Sequence, residues 1–166
     1  ACIVRMSQHM KIWSVYIMAA PHSKGLTYFK VGRSSDVAKR LAGVQTGCPL
    51  PITKVYILTM WGNGHSQSVE AMMHNDLAAY RTQGEWFAFS TDDLAHKKVM
   101  NDAMREAAMR AKVGETIPKW RNVPVAELKA AVSGQAADMA NERKVGRKSQ
   151  ARKAVVLMAT TGRRIL

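Results

Sequence analysis

At 166 residues, with 47% apolar and 22% charged residues, the chain has the length and composition of one folded domain with room for an appendage. No apolar run approaches the ~20 residues that span a bilayer, and Ala154 to Ala159 is far too short, so no membrane partner is expected. The net charge is +13 and uneven: from Lys97 onward there are 16 Lys and Arg against 6 Asp and Glu, +10 of the total, which points to a polyanion partner such as nucleic acid, the plainer reading being a solubility tail.

In chain order, Ile12 to Ala19 is a β-rich apolar run and reads as a buried strand. Pro21 to Gly25 has turn chemistry, and Leu26 to Val31 returns as a second strand, so the pair reads as a hairpin. Ser34, Ser35 and Asp36 offer oxygens to cap a helix carrying Val37, Leu41 and Val44 at helical spacing, which Thr46 to Pro51 ends. Ile52 to Met60 is the third strand, Gly62 to Gly64 a loop, and Ser66 to Arg81 an amphipathic helix facing a core with Val69, Met73, Leu77 and Tyr80. Gly84 closes that helix and Trp86 to Phe89 packs back. Thr91 to Asp93 caps a further helix to about Lys112, whose apolar stripe is Leu94, Ala95, Met100, Met104, Ala107 and Ala111.

Beyond Lys112 the periodicity weakens at Pro118 and Pro124. A helix starts near Val125 and continues, kinked at Gly134, toward Arg143, followed by the basic run Arg143 to Lys153. The expected organisation is an α+β domain over residues 10–112 and a basic, largely helical extension over 113–166. Within the extension, Arg143, Lys144, Arg147, Lys148, Arg152 and Lys153 are the candidate nucleic-acid contacts. Ala1 to His9 reads as an appended or trimmed segment, with Met10 as the expected native start. Cys2 and Cys48 are too few for a tetrahedral zinc site, and reduced thiols of a cytoplasmic protein are expected.

Hydrolysis of a phosphodiester needs a base for water, positive charge for the phosphoryl oxygens and a stabiliser for the leaving oxygen. Tyr16, Arg40 and Glu70 are residue types suited to those roles. Their order and surroundings add to that: Ser14-Val15-Tyr16, Lys30-Val31-Gly32-Arg33-Ser34, Arg40, Gln45-Thr46-Gly47, Glu70 with His74 four residues on, and Gly84-Glu85-Trp86-Phe87. Over Trp13 to Phe89 the chain resembles the GIY-YIG endonuclease superfamily, most closely the branch common in phages and mobile elements.

That resemblance implies a small three-stranded antiparallel sheet flanked by helices, and cleavage of DNA with one Mg²⁺ or Mn²⁺ in a bacterial or phage-infected cell. It implies that Tyr16 helps activate water, Arg40 clamps the scissile phosphate and Glu70 holds the metal. An unperturbed phenol titrates near ~10, so Tyr16 needs a neighbouring cation to act as a base, Lys30 or the metal. Lys30 stands where much of the family has tyrosine; Tyr28, on the same sheet face, is a partial substitute. Glu85 stands where many members have asparagine.

Each residue also has a plainer reading. Tyr16 fits an ordinary core tyrosine, and Arg40 and Glu70 fit solvated helix residues. Gly32 reads as structural, permitting close backbone approach. His74 is either a ligand or phosphate contact or an orienting histidine, Arg33 either a phosphate contact or a solvated arginine, and Glu85-Trp86-Phe87 either site lining or packing. Three functions follow: a metal-dependent DNA endonuclease, a non-catalytic nucleic-acid-binding module on a nuclease-like fold (RNA included), and an interaction protein using the helices after Asp92. Convergence of Tyr16, Arg40 and Glu70 separates the third from the first two.

Overall fold

The computed structural model describes residues 11–135 apart from Lys24. Residues 143–153, with the six basic candidates, lie outside the described residues. The elements are β1 (Ile12–Pro21), β2 (Leu26–Ser34), α1 (Val37–Gly47), β3 (Lys54–Trp61), α2 (Asn63–Asp76), a 3₁₀ turn (Ala78–Tyr80), β4 (Arg81–Gln83), β5 (Trp86–Ser90), α3 (Leu94–Arg110) and β6 (Arg121–Val123), with a helix beginning at residue 125. No helix among the described residues is long and apolar enough to cross a membrane.

The sheet is mixed with helices as expected, but it has six strands rather than three, in the order β4-β5-β2-β1-β3-β6, all antiparallel. The three expected strands form its centre. The added strands have three, five and three residues. Segments so short carry almost no periodicity; β5 and β6 become strands because distant partners, β2 and β3, offer unsatisfied backbone edges, and β4 pairs back on β5.

β1 explains its continuous apolar run by position: it lies between β2 and β3, and both its faces are covered. Val15 and Ile17 point into a core with Leu58, Met60, Val69 and Met73, closed by α2 and α3. Tyr16, Met18 and Ala20 point the other way, against Leu41 of α1 and, further along, Ile57, Val123 and Leu128. Alternation along one strand thus feeds two cores, and a one-residue slip would exchange every side chain between them.

The helix caps form as read. Asp36 accepts from the Lys39 amide at 2.9 Å and Asp93 from the Ala95 amide at 2.7 Å, each satisfying a free donor of the first turn. Gln45 ties down the loop after α1: its amide nitrogen donates to the carbonyls of Cys48 and Leu50, and its oxygen accepts from the Ile52 amide.

Several boundaries differ, among them the end of β2, which runs on to Ser34. β3 begins at Lys54, because the Ile52 amide is taken by Gln45. α2 begins at Asn63 inside the expected loop, and ends at Asp76 instead of Arg81, whose residue enters β4. Gly84 does not end that helix; it turns β4 into β5 with φ +55°, a left-handed conformation that disfavours any side chain. Leu94 of the expected α3 stripe is 77% exposed, because as the first residue of the helix it lies past the edge of the core.

Candidate active site

The site lies where β2 loses one neighbour. β5 pairs with β2 as far as Lys30↔Trp86, and the Val31 amide still donates to the Glu85 carbonyl. From Gly32 to Ser34, β2 keeps only β1. Past that uncovered edge, side chains from the two sheet faces meet. A polar cleft of about 400 Å³ there is lined by Trp13, Arg33, Ser34, Ser35, Arg40, Glu70 and Glu85.

On the α1 side, Arg40 sits in the first turn of its helix and donates from Nε to the Tyr16 hydroxyl at 3.1 Å. The terminal guanidinium nitrogens of Arg40 have no partner among the described residues, so a planar two-pronged donor is presented to the cleft. Tyr16 itself is fully buried. Burial pushes its phenol above the ordinary value near 10; the Arg40 hydrogen bond and charge pull it back only part of the way, and the Glu85 and Glu70 charges add to the rise. The same hydrogen bond holds Arg40 more firmly in its charged form.

Tyr16 lies over Gly32, its cross-strand partner. A Cβ on Gly32 would stand 2.6 Å from Tyr16 Cζ, well inside contact distance. Gly32 therefore makes the room in which the phenol reaches Arg40. Gly32→Ala is expected to cost about 1–3 kcal/mol through overpacking, read as a lower urea midpoint, with the loss relieved in a Tyr16→Leu background. An unchanged midpoint would show that Tyr16 does not occupy that space.

On the α2 side, Glu70 Oε2 accepts from Arg33 Nε at 2.9 Å, leaving its second oxygen toward the cleft. Arg33 also donates from Nη1 to Asn63 Oδ1 and stacks on Trp13, 5.2 Å from its ring centroid. Lys30, 8% exposed, is ion-paired with Glu85. Burial works against the charge on Glu85, but the Lys30 hydrogen bond and charge, helped by His74 and Arg40, outweigh it and hold the carboxyl below its usual range.

These shifts give stability two opposite dependences on pH. Neutral Tyr16 is favoured by the fold, so its contribution is complete below the unfolded value near 10 and is lost as pH rises through the folded value. Ionised Glu85 contributes above its unfolded value near 4.5, and that is lost as pH falls through the folded value. Urea midpoints should therefore drop as pH rises above about 10 in the native chain and drop less in Tyr16→Phe. Equal slopes would contradict the buried phenol.

Tyr16, Arg40 and Glu70 thus converge, with Lys30, Arg33, Gly32 and Glu85 around them. Two other candidates lie elsewhere. His74 donates from Nε2 to the Val31 carbonyl at 3.1 Å and packs edge-on against Phe87, so it braces the β2 end from beneath. Tyr28 shares the Lys30 face but opens into a separate depression beside Trp86. Trp13, Asn63 and Ser35 line or support the cleft without having been singled out as such. Trp13 could have been found by its alternation with Val15, which directs it to the Arg33 face; Asn63 carried no signal while it read as loop.

The described residues contain no group of three or more His, Cys, Asp or Glu placed to hold an ion. Glu70 and Glu85 are the two carboxylates lining the cleft. That sparse, hard-oxygen set fits Mg²⁺ or Mn²⁺ of the kind held by one or two carboxylates, waters and substrate phosphate, and does not fit a zinc cage.

The sequence profile of the T5orf172 domain matches residues 14–116, more than half of the chain. The chain belongs to the T5orf172 domain family. This family is nuclease-like and related to the GIY-YIG domains. No curated protein and no solved structure matches this T5orf172 chain. The matched segment contains Tyr16, Lys30, Arg33, Arg40, Glu70 and Glu85, and thereby every charged residue of the cleft. A nucleic-acid-directed, nuclease-like role for the T5orf172 domain is consistent with its +13 charge.

Proposed function

We propose that this T5orf172 domain is a metal-dependent endonuclease of GIY-YIG type that hydrolyses phosphodiester bonds in DNA. One observation carries the reading: Arg40, anchored through Nε on buried Tyr16, turns its free terminal nitrogens into the cleft that Glu70 lines.

The fork of Arg40 suits two oxygens of one phosphate and would meet the charge that develops on them. Tyr16 keeps its proton at neutral pH and acts first by fixing the guanidinium. Glu70, oriented by Arg33, would hold Mg²⁺ or Mn²⁺ together with substrate oxygens. When bound, such an ion supplies Lewis acidity toward the phosphate and lowers the pKa of its water. Lys30 neutralises Glu85 and keeps the rim of the cleft from repelling a polyanion. The basic stretch Arg143 to Lys153 would hold flanking DNA, and a phage or mobile-element setting in a bacterial cytoplasm fits the family.

The test is nicking of supercoiled plasmid by the full chain with Mg²⁺ or Mn²⁺, against EDTA and against Glu70→Ala and Arg40→Ala. Identical nicking by all three proteins would remove the site assignment. A second reading, a binding module without catalysis, is favoured by two observations: Glu70 is already bonded to Arg33, and Tyr16 is held neutral. Salt-sensitive DNA binding with no metal-dependent cleavage would select it.

A further inference from the structure

Behind the Lys30–Glu85 pair lies a second cleft, of about 420 Å³, lined among others by His22, Tyr28, Cys48, Thr82, Gln83 and Trp86. We propose that it is a subsite for one unpaired nucleobase of the strand whose backbone sits at Arg40. The proposal rests on the endonuclease reading for the identity of that strand, and extends it to the substrate class.

Four observations carry it. First, the two clefts are back to back: Glu85 lines one and the next residue, Trp86, lines the other. Lys30 joins them, ion-paired with Glu85 and 5.7 Å from the centroid of the Trp86 ring. Second, Tyr28 and Trp86 stand on one face of neighbouring strands, by the Tyr28↔Ala88 and Lys30↔Trp86 register, yet their rings do not stack on each other. In the core, Tyr80 stacks on Phe89 at 4.5 Å, while Phe29 meets Phe89 edge-on. The Tyr28 ring is T-shaped against His22 at 5.9 Å and the Trp86 ring carries Lys30 at 5.7 Å, so neither is stacked face to face on another ring among the described residues. Third, the Tyr28 hydroxyl and the Gln83 side-chain amide have no hydrogen-bond partner among the described residues, and both border the cleft. Fourth, the cleft is neither greasy nor purely charged. It pairs flat apolar faces with hydroxyl, amide and imidazole groups, the combination that holds a base by stacking and tests its edge by hydrogen bonds.

A base locked in a duplex cannot reach such a cleft while its phosphate sits at Arg40. The preferred substrate therefore has an unpaired nucleotide beside the scissile linkage.

The test is equilibrium binding by the full chain in EDTA, so that nothing is cleaved, of a single-stranded oligonucleotide and the blunt duplex of the same sequence, each with one 2-aminopurine. The native chain is expected to bind the single strand more tightly and to quench 2-aminopurine in it. Tyr28→Leu should weaken single-strand binding about tenfold, the worth of one lost base stack, abolish the quench and leave duplex binding within about twofold. Tyr28→Phe should retain the stack. Should Tyr28→Leu fail to fold, alkylation of Cys48 with a bulky maleimide in a Cys2→Ser background should produce the same selective loss. Equal loss on both substrates, no loss, no preference for the single strand, or no binding at all overturns the subsite. Because these readouts need no metal, they stand apart from the nuclease reading: plasmid nicking that depends on Glu70 can survive their failure, and base-selective binding can survive the absence of nicking.

Discussion

Glu70→Ala is expected to lower metal-dependent DNA cleavage by about 10³-fold, the scale of removing a principal charge stabiliser from a transition state. The carboxylate faces the cleft with one oxygen bonded to Arg33 and the other open. Removing it takes away the carboxylate proposed to hold the divalent ion. The fold should tolerate the change, because the partner Arg33 is partly exposed and keeps its contacts to Asn63 and Trp13. A partly exposed ion pair contributes at most about 1 kcal/mol. Rates over a range of Mg²⁺ or Mn²⁺ concentrations, with circular-dichroism melting of the same sample, separate loss of chemistry from loss of fold. Cleavage at the native rate by a folded Glu70→Ala would end the role given to this residue. A rate restored at high metal would place the loss in ion affinity.

Arg40→Ala should cost a comparable factor, about 10²- to 10³-fold in cleavage rate, and Arg40→Lys should recover little of it. Lysine would keep the charge but lose both the hydrogen bond to Tyr16 and the two-pronged geometry. Since Tyr16 and Arg40 share one hydrogen bond, their substitutions should not add. Tyr16→Phe in an Arg40→Ala background should cost far less than Tyr16→Phe alone, as for residues that act as a unit. The measurement is a double-mutant cycle on single-turnover cleavage. Strict additivity would show that the phenol acts independently, directly on water as the family resemblance implies. Coupling would show that it works through the guanidinium.

Much of this arrangement was legible along the chain. The Asp36 and Asp93 caps, the β1–β2 hairpin, and the inward residues Leu41, Val69, Met73 and Leu77 follow from local spacing, because capping and periodicity act within a few residues. The approach at Gly32 was legible too, since a residue without Cβ on a strand marks a place where something comes close. His74 was ambiguous for a physical reason. It shares a helix face with Glu70, but one turn of α2 is enough to carry it past the uncovered edge of β2 to the Val31 carbonyl. The short strands were illegible as strands because β5 and β6 acquire their structure from partners far away in the chain, β2 and β3, and β4 only from pairing back on β5.

By itself the sequence determined the residue types, their order, the face of each strand or helix on which they stand, and the basic charge toward the C-terminus. Only the tertiary structure decided that Arg40 and Glu70, carried by helices on opposite faces of the sheet, share one cleft. That meeting depends on where β5 stops. Pairing ends at Lys30, so the last three residues of β2 leave an open edge around which the two faces join. Where a strand loses its neighbour is set by backbone hydrogen bonds between segments more than fifty residues apart, such as that from Val31 to Glu85. Local side-chain preference does not encode it.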